Sequence, residues 1–264
     1  MGEVIVITSG KGGVGKTTTT ANLGSALALE GKKVALIDTD IGLRNLDVVM
    51  GLENRIVYDI VDVVEEKCKL RQALIKDKRF QELFLLPAAQ TRDKSAITEE
   101  QMRNLTNQLK EEFDYILIDC PAGIEQGFKN AIIGADKAIV VTMPEISAIR
   151  DADRIIGLLE SSEIKNPQLI INKLRPEMVR KGKMMDVDDI VDLLSIELLG
   201  VVPDDEYVIT QTNKGEPVIS NRKAPSGKAY METAKRILGE DIEVTITKKE
   251  KGFLAALKRF FKRK

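Results

Sequence analysis

The sequence predicts an α/β protein with one doubly wound, mainly parallel sheet and helices on both faces. Two observations carry that expectation. Seven short apolar runs, from Val4-Ile5-Val6-Ile7 to the stretch Leu198 to Val202, alternate with segments whose apolar residues recur at helical spacing. The chain has 264 residues and 43% apolar side chains, enough for one large core, and it contains no internal repeat or low-complexity segment. The expected divisions are a globular body over 1–238, a linker over 239–250 and a short terminal segment over 251–264.

The first strand, Val4 to Ile7, runs into Ser9-Gly10-Lys11-Gly12-Gly13-Val14-Gly15-Lys16-Thr17-Thr18, and a helical stretch from Ala21 to Leu29 follows. Strand, glycine loop and helix in that order make Gly10 to Thr17 a G-x-x-x-x-G-K-[ST] phosphate loop, so the fold is expected to be that of a P-loop NTPase. Glycines at Gly12, Gly13 and Gly15 let backbone N–H groups turn inward around a triphosphate. Lys16 would meet the β- and γ-phosphates and the Thr17 hydroxyl Mg²⁺, while the helix points its positive end at the anion. The residues expected to bind ATP are therefore Lys11, Gly12, Gly13, Val14, Gly15, Lys16, Thr17 and Thr18.

Lys11 is a second cation within the loop. Lys-Gly-Gly-x-Gly-Lys-Thr resembles the deviant phosphate loop of the MinD/ParA family of ATPases, in which this extra lysine reaches across a dimer interface to the partner's nucleotide. The resemblance implies an ATP-dependent homodimer and a catalytic role for Lys11 beside Lys16.

The second strand, Val34 to Ile37, ends in Asp38-Thr39-Asp40. Carboxylates at the C-terminal end of a strand lie on the rim where such sheets bind ligands. Asp40 is the candidate to orient the attacking water and Asp38 to approach the metal's water shell, with an ordinary turn as the competing reading. The next residues, Ile41-Gly42-Leu43-Arg44-Asn45-Leu46-Asp47, resemble the family's first switch segment, and Arg44 is carried as a partner contact on that basis. A short helix is expected within Tyr58 to Glu66, a third strand over Leu83 to Leu86, and a helix from a Thr98 cap to Glu112. The charged connections Asp77 to Arg79 and Thr91 to Lys94 read as solvated loops.

Tyr115 to Ile118 leads into Asp119-Cys120-Pro121-Ala122-Gly123. Asp119 fits a Walker B carboxylate facing Mg²⁺, Cys120 reads as a small half-buried spacer, and Pro121 and Gly123 suit a second switch. A fifth strand is expected over Ala138 to Thr142 and a helix from Ile146 to Ser161. The resemblance implies that this helix lies near the dimer interface, with Asp151 as a partner contact. The sixth strand, Leu169 to Ile171, is expected to end at Asn172-Lys173, and the seventh, Leu198 to Val202, at Pro203-Asp204. In the family the matching asparagine reads adenine and residues after the matching proline border the ring. A polar stretch over Val208 to Glu216 and a last helix from Lys228 to Leu238 complete the body.

Composition narrows the chemistry. There is no histidine, so imidazole acid/base catalysis and histidine metal sites are excluded. Cys68 and Cys120 form no C-x-x-C, which fits a reduced cytosolic protein. The formal charge is −1, yet residues Lys248 to Lys264 hold eight Lys/Arg against one Glu. An acidic body thus carries a basic tail, and nucleic acid is not an expected partner. The first strand begins by about Glu3, leaving no room for a signal peptide, and no apolar run approaches the roughly 20 residues of a membrane span.

Within that tail Phe253, Leu254, Leu257, Phe260 and Phe261 fall at i, i+1, i+4, i+7 and i+8, one stripe on a helix flanked by lysines and arginines. Such a segment suits the headgroup region of an anionic membrane surface. A helix docked on the protein's own core and a nucleic-acid arm are the competing readings. The phosphate loop, both switches, Asn172 and the tail together resemble the septum-site-determining branch of the family. That resemblance implies a membrane-associated ATP switch on the inner face of the cell membrane. It also implies a MinC-like inhibitor of septum formation and a MinE-like or other topological regulator as partners. A flagellar-number ATPase of the FlhG type or a DNA-partition ATPase of the ParA type are the alternatives. The first usually carries an activating segment before the loop, and the second needs a basic surface.

Overall fold

The computed structural model describes residues 1–93, 96–221 and 223–244. Among them eight strands form one sheet: β1 (Glu3–Thr8), β2 (Val34–Asp38), β3 (Ile75–Lys76), β4 (Leu83–Leu86), β5 (Tyr115–Asp119), β6 (Lys137–Thr142), β7 (Gln168–Leu174) and β8 (Glu197–Pro203). They lie in the order β3-β4-β2-β5-β1-β6-β7-β8. Every pairing is parallel except β3 with β4. The chain winds outward from β1 to β4, returns to β5, then crosses β1 to build the other half. The reversal opens a crevice at the C-terminal ends of the central strands.

Alternation along β1 explains the two layers. Val4 and Val6 face a core completed by the helices Glu99–Glu112 and Ile146–Ser161, while Ile5 and Ile7 face one completed by α1 (Lys16–Leu29) and the helix Pro225–Ile237. Full burial of both sets accounts for the nearly unbroken apolar runs. Thr98 caps its helix as expected: its Oγ1 accepts the Gln101 N–H at 3.2 Å, and Gln101 Oε1 accepts the Thr98 N–H at 2.9 Å.

Several elements differ from the sequence reading. The short edge strand β3 and the helices Leu46–Val49, Gln126–Ile132, Pro176–Arg180, Val187–Leu194 and Glu206–Thr212 are additions, each too short to impose a clear period. The Asp77 to Arg79 connection is solvated only in part: it turns the β3–β4 hairpin with Lys78 and Arg79 exposed but the Asp77 carboxylate buried. β7 runs past Asn172 to Leu174 through a register shift against β8, and Lys173 there adopts a left-handed φ of 56°. Cys120 is fully buried rather than half-buried, and burial pushes its thiol up to about 12. The expected tail helix over 251–264, with its Phe253, Leu254, Leu257, Phe260 and Phe261 stripe, lies outside the described residues. Among the described residues no helix is long and apolar enough to cross a membrane.

Candidate nucleotide-binding site

β1 delivers the chain to a loop at the middle of the crevice. The loop passes through two left-handed glycines, Gly13 at φ 78° and Gly15 at φ 100°, and Gly15 is the N-cap of α1. A Cβ on Gly15 would lie 2.3 Å from Asn172 Nδ2, and one on Gly10 would lie 2.2 Å from the Asp151 carbonyl oxygen. Gly12 differs from both. A Cβ there meets only Ala122 at 3.9 Å, so nothing in the protein itself demands a glycine at that position.

A cleft of about 800 Å³ opens beside the loop, bordered by Gly15, Lys16, Thr17 and Thr18 on one side and by Asn172 and Pro203 on the other. The strand ends thus bring the expected phosphate and base residues to one cavity. Asn172 also grips the loop: its Nδ2 donates to the Val14 carbonyl at 2.8 Å and its Oδ1 accepts the Lys173 N–H at 2.9 Å. Lys173 Nζ, which sequence reasoning passed over, donates to the Gly13 carbonyl at 2.9 Å. The β7 register shift is what turns both residues toward the loop.

The acidic side is built by register. Asp38 and Asp119 are Cα partners across β2 and β5, and Asp119 is also the partner of Ile7 in β1. Both carboxylates are buried. Burial pushes Asp38 up to about 6, with the Asp40 and Asp47 charges adding to the rise, and it pushes Asp119 up to about 8, with the Asp38 charge adding to the rise. Hydroxyls of Thr17 and Thr20 and the Lys16 ammonium oppose the rise at Asp119. Asp38 spends its oxygens on the switch segment: Oδ1 accepts the Asp40 N–H at 2.9 Å and Oδ2 the Leu46 N–H at 3.1 Å. Asp40 sits in the intervening turn, where its carbonyl accepts the N–H groups of Leu43 and Arg44, each at 3.1 Å.

Two more hydroxyls escaped the sequence reading. Thr20 Oγ1 donates to Asp119 Oδ1 at 3.3 Å and Thr39 Oγ1 to the Asp119 carbonyl at 2.7 Å. Thr20 lies one helical turn beyond Lys16, a spacing that could have flagged it.

Lys11 lies against its own chain, with Nζ donating to Ser147 Oγ at 3.0 Å and standing 3.6 Å from Glu145 Oε2. Arg44, at φ 49°, pairs through Nε with buried Asp47 Oδ2 at 2.9 Å. Asp151 is half-buried on the helix Ile146–Ser161, with its backbone against Gly10.

The residues fit Mg²⁺ with a nucleotide. Two adjoining buried carboxylates beside a threonine hydroxyl are the donor set of a hard cation, and a divalent charge would relieve their mutual repulsion. Among the described residues no group of three or more His, Cys, Asp or Glu could hold a metal alone.

Comparison with known proteins agrees with this geometry. Residues 5–218 match the CobQ/CobB/MinD/ParA nucleotide binding domain. The chain is 62% identical to the septum site-determining protein MinD of Bacillus subtilis (strain 168), over 99% of this chain and 98% of that one. It superposes on MinD in a MinC:MinD cell division protein complex from Aquifex aeolicus with a TM-score of 0.87 and 52% identity, covering 92% of this chain and 98% of that one. MinD complexed with Mg-ADP from Pyrococcus horikoshii OT3 gives a TM-score of 0.82 at 29% identity, covering 92% and 100%.

Proposed function

The chain belongs to the CobQ/CobB/MinD/ParA nucleotide-binding family, within it to the septum site-determining MinD proteins, and on that premise we propose that it is an ATP-dependent membrane switch that positions the division site. The observation that carries this reading is the meeting of the Lys16 loop with the Asp38–Asp119 pair at one end of the sheet. Backbone N–H groups of the Gly12 to Thr18 loop and the Lys16 ammonium hold the triphosphate. Thr17 and Asp119 would hold Mg²⁺, with Asp38 approaching its water shell. When bound, the metal neutralises phosphate charge and draws electron density from the γ-phosphorus. Asp40 orients the attacking water, and Lys11 leaves Ser147 to reach the nucleotide of a second copy in an ATP-dependent homodimer.

Asp38 links this chemistry to shape. It holds the backbone of the Asp40 to Leu46 turn, so a change at the γ-phosphate reaches Arg44, which with Asp151 contacts a partner. That partner is a MinC-like inhibitor, opposed by a MinE-like or other topological regulator. The apolar stripe of Phe253, Leu254, Leu257, Phe260 and Phe261, with its flanking lysines and arginines, attaches the dimer to anionic lipid. Each tail alone binds weakly, and pairing two makes the second insertion intramolecular, raising avidity by roughly 10²-fold or more.

Sedimentation with anionic vesicles in ATP, ADP or no nucleotide, with duplex DNA as competitor, tests the reading. ATP-selective pelleting that DNA leaves intact is the expected result. Pelleting indifferent to nucleotide, or ATP-dependent retention on DNA instead, would overturn it.

A further inference from the structure

The β3–β4 hairpin carries a side chain that the site described above does not use. Arg79 forms a forked pair with Asp77, Nε to Oδ1 at 3.1 Å and Nη2 to Oδ2 at 2.7 Å. The Asp77 carboxylate is buried and also accepts the Arg79 backbone N–H at 2.7 Å, so the guanidinium is firmly aimed. Its outer edge meets two carbonyls from distant parts of the chain, Nη1 donating to Gly215 at 2.7 Å and Nη2 to Met50.

Those carbonyls belong to the two turns that meet beneath it. Gly51 and Gly215 take left-handed φ values of 62° and 67° and abut directly. A Cβ on Gly51 would lie 2.6 Å from the Gly215 oxygen, and one on Gly215 would lie 2.5 Å from Gly51 Cα. Each turn ends a segment that leads to the nucleotide site. The 50–51 turn follows the helix Leu46–Val49, whose first N–H is the one Asp38 holds. The 215 turn follows the helix Glu206–Thr212, whose Val208, Ile209 and Thr212 line the cleft on the side of Pro203.

From this geometry we infer that Arg79 is a positioning residue that couples the nucleobase side of the cleft to the switch turn at Asp40, so that hydrolysis depends on which base is bound. The inference rests on the ATPase reading above. Helix Glu206–Thr212 settles against a base that fits, and the Arg79 clasp passes that placement to Leu46 and hence to the Asp38-held turn. Lysine cannot substitute, because an ammonium lacks the planar fork that serves a carboxylate and two carbonyls together.

The test compares hydrolysis of Mg-ATP and Mg-GTP by the full-length protein on anionic vesicles. Wild type should prefer ATP in kcat. Arg79→Lys should lower kcat for ATP by about tenfold while KM changes little, and should leave GTP turnover nearly unchanged, so that the preference collapses. The double variant Asp77→Asn/Arg79→Gln avoids a buried unpaired carboxylate and should behave alike, which keeps the comparison available if Arg79→Lys folds poorly. Equal losses with both nucleotides would mark Arg79 as merely structural and overturn the inference, as would a wild type that hydrolyses both equally. Failure of wild type to hydrolyse either removes the ATPase reading itself.

Discussion

Asp38 and Asp119 stand opposite each other in the β2–β5 register, buried and with both carboxyls raised by that burial. Their folded-state values lie above the ordinary carboxylate value of about 4, so the folded chain holds protons that the unfolded chain has released. Stability of the nucleotide-free protein is therefore expected to fall as pH rises from about 4 toward the value of about 8 at Asp119. Asp119→Asn should flatten that dependence and raise the thermal midpoint at pH 7.5. A wild-type midpoint that climbs steadily between pH 5 and 8 would contradict it.

Lys16→Ala and Asp40→Ala should separate binding from chemistry. Loss of the Lys16 ammonium removes the main side-chain cation at the phosphates, so productive ATP binding should vanish. Asp40→Ala should still dimerise with ATP but hydrolyse it slowly. Equal loss of nucleotide affinity, read by equilibrium dialysis, would remove Asp40 from water positioning.

Lys11→Ala gives up only the Ser147 hydrogen bond and the 3.6 Å contact with Glu145, both at an exposed position. The variant is expected to fold with a thermal midpoint near wild type and to bind nucleotide, yet to remain monomeric with ATP. Normal ATP-dependent dimerisation by light scattering would count against a lysine that crosses the interface.

Gly15→Ala and Gly12→Ala should differ sharply. The first puts a Cβ against Asn172 at a φ of 100°, which should cost about 1–3 kcal/mol of stability and weaken nucleotide binding. The second meets only Ala122 and should leave the apo midpoint within about 0.5 kcal/mol of wild type. Any loss there would appear in nucleotide affinity, the signature of a constraint set by the phosphates.

Deleting 251–264, or replacing Phe260 with Glu, should abolish vesicle binding and spare ATP-dependent dimerisation. Higher salt or neutral lipid should weaken attachment as well. Fusions of the tail to a monomeric and to a dimeric carrier isolate avidity. Equal binding by both would remove pairing as the source of the switch.

The central sheet was legible because β1, β2, β5 and β6 are buried on both faces, which makes each an apolar run ended by Thr8, Asp38, Asp119 or Thr142. The phosphate loop was legible for a different reason: its backbone needs fix residue types at fixed spacing. Arg79 and Lys173 were not legible. Arg79 acts on carbonyls 29 and 136 positions away, and carbonyls carry no sequence identity. Lys173 acts through a register shift that no residue announces, and the same shift carries β7 past the point where the apolar run ends. Short helices such as Glu206–Thr212 rest on local caps, here the Tyr207 N–H to Asp205 Oδ1 at 2.9 Å, more than on an apolar face.

The outer margins of the sheet bear on how copies of this chain can meet. β3 contributes only two residues at one margin, with Lys76 exposed. At the other, β8 bulges at Leu199, whose carbonyl accepts Arg236 Nη1 at 3.0 Å. A short strand bearing a lysine and a bulged strand with a capped carbonyl are both poor templates for adding a further strand. Two copies are thus steered away from joining their sheets side by side. The broad surface at the strand ends, where exposed Leu43 and Ile146 flank the loop-bearing crevice, is left for them to share. In the ATP-dependent homodimer proposed above, sharing that surface would set each subunit's cleft against its twin and close the assembly at two members instead of letting it grow into a fibre.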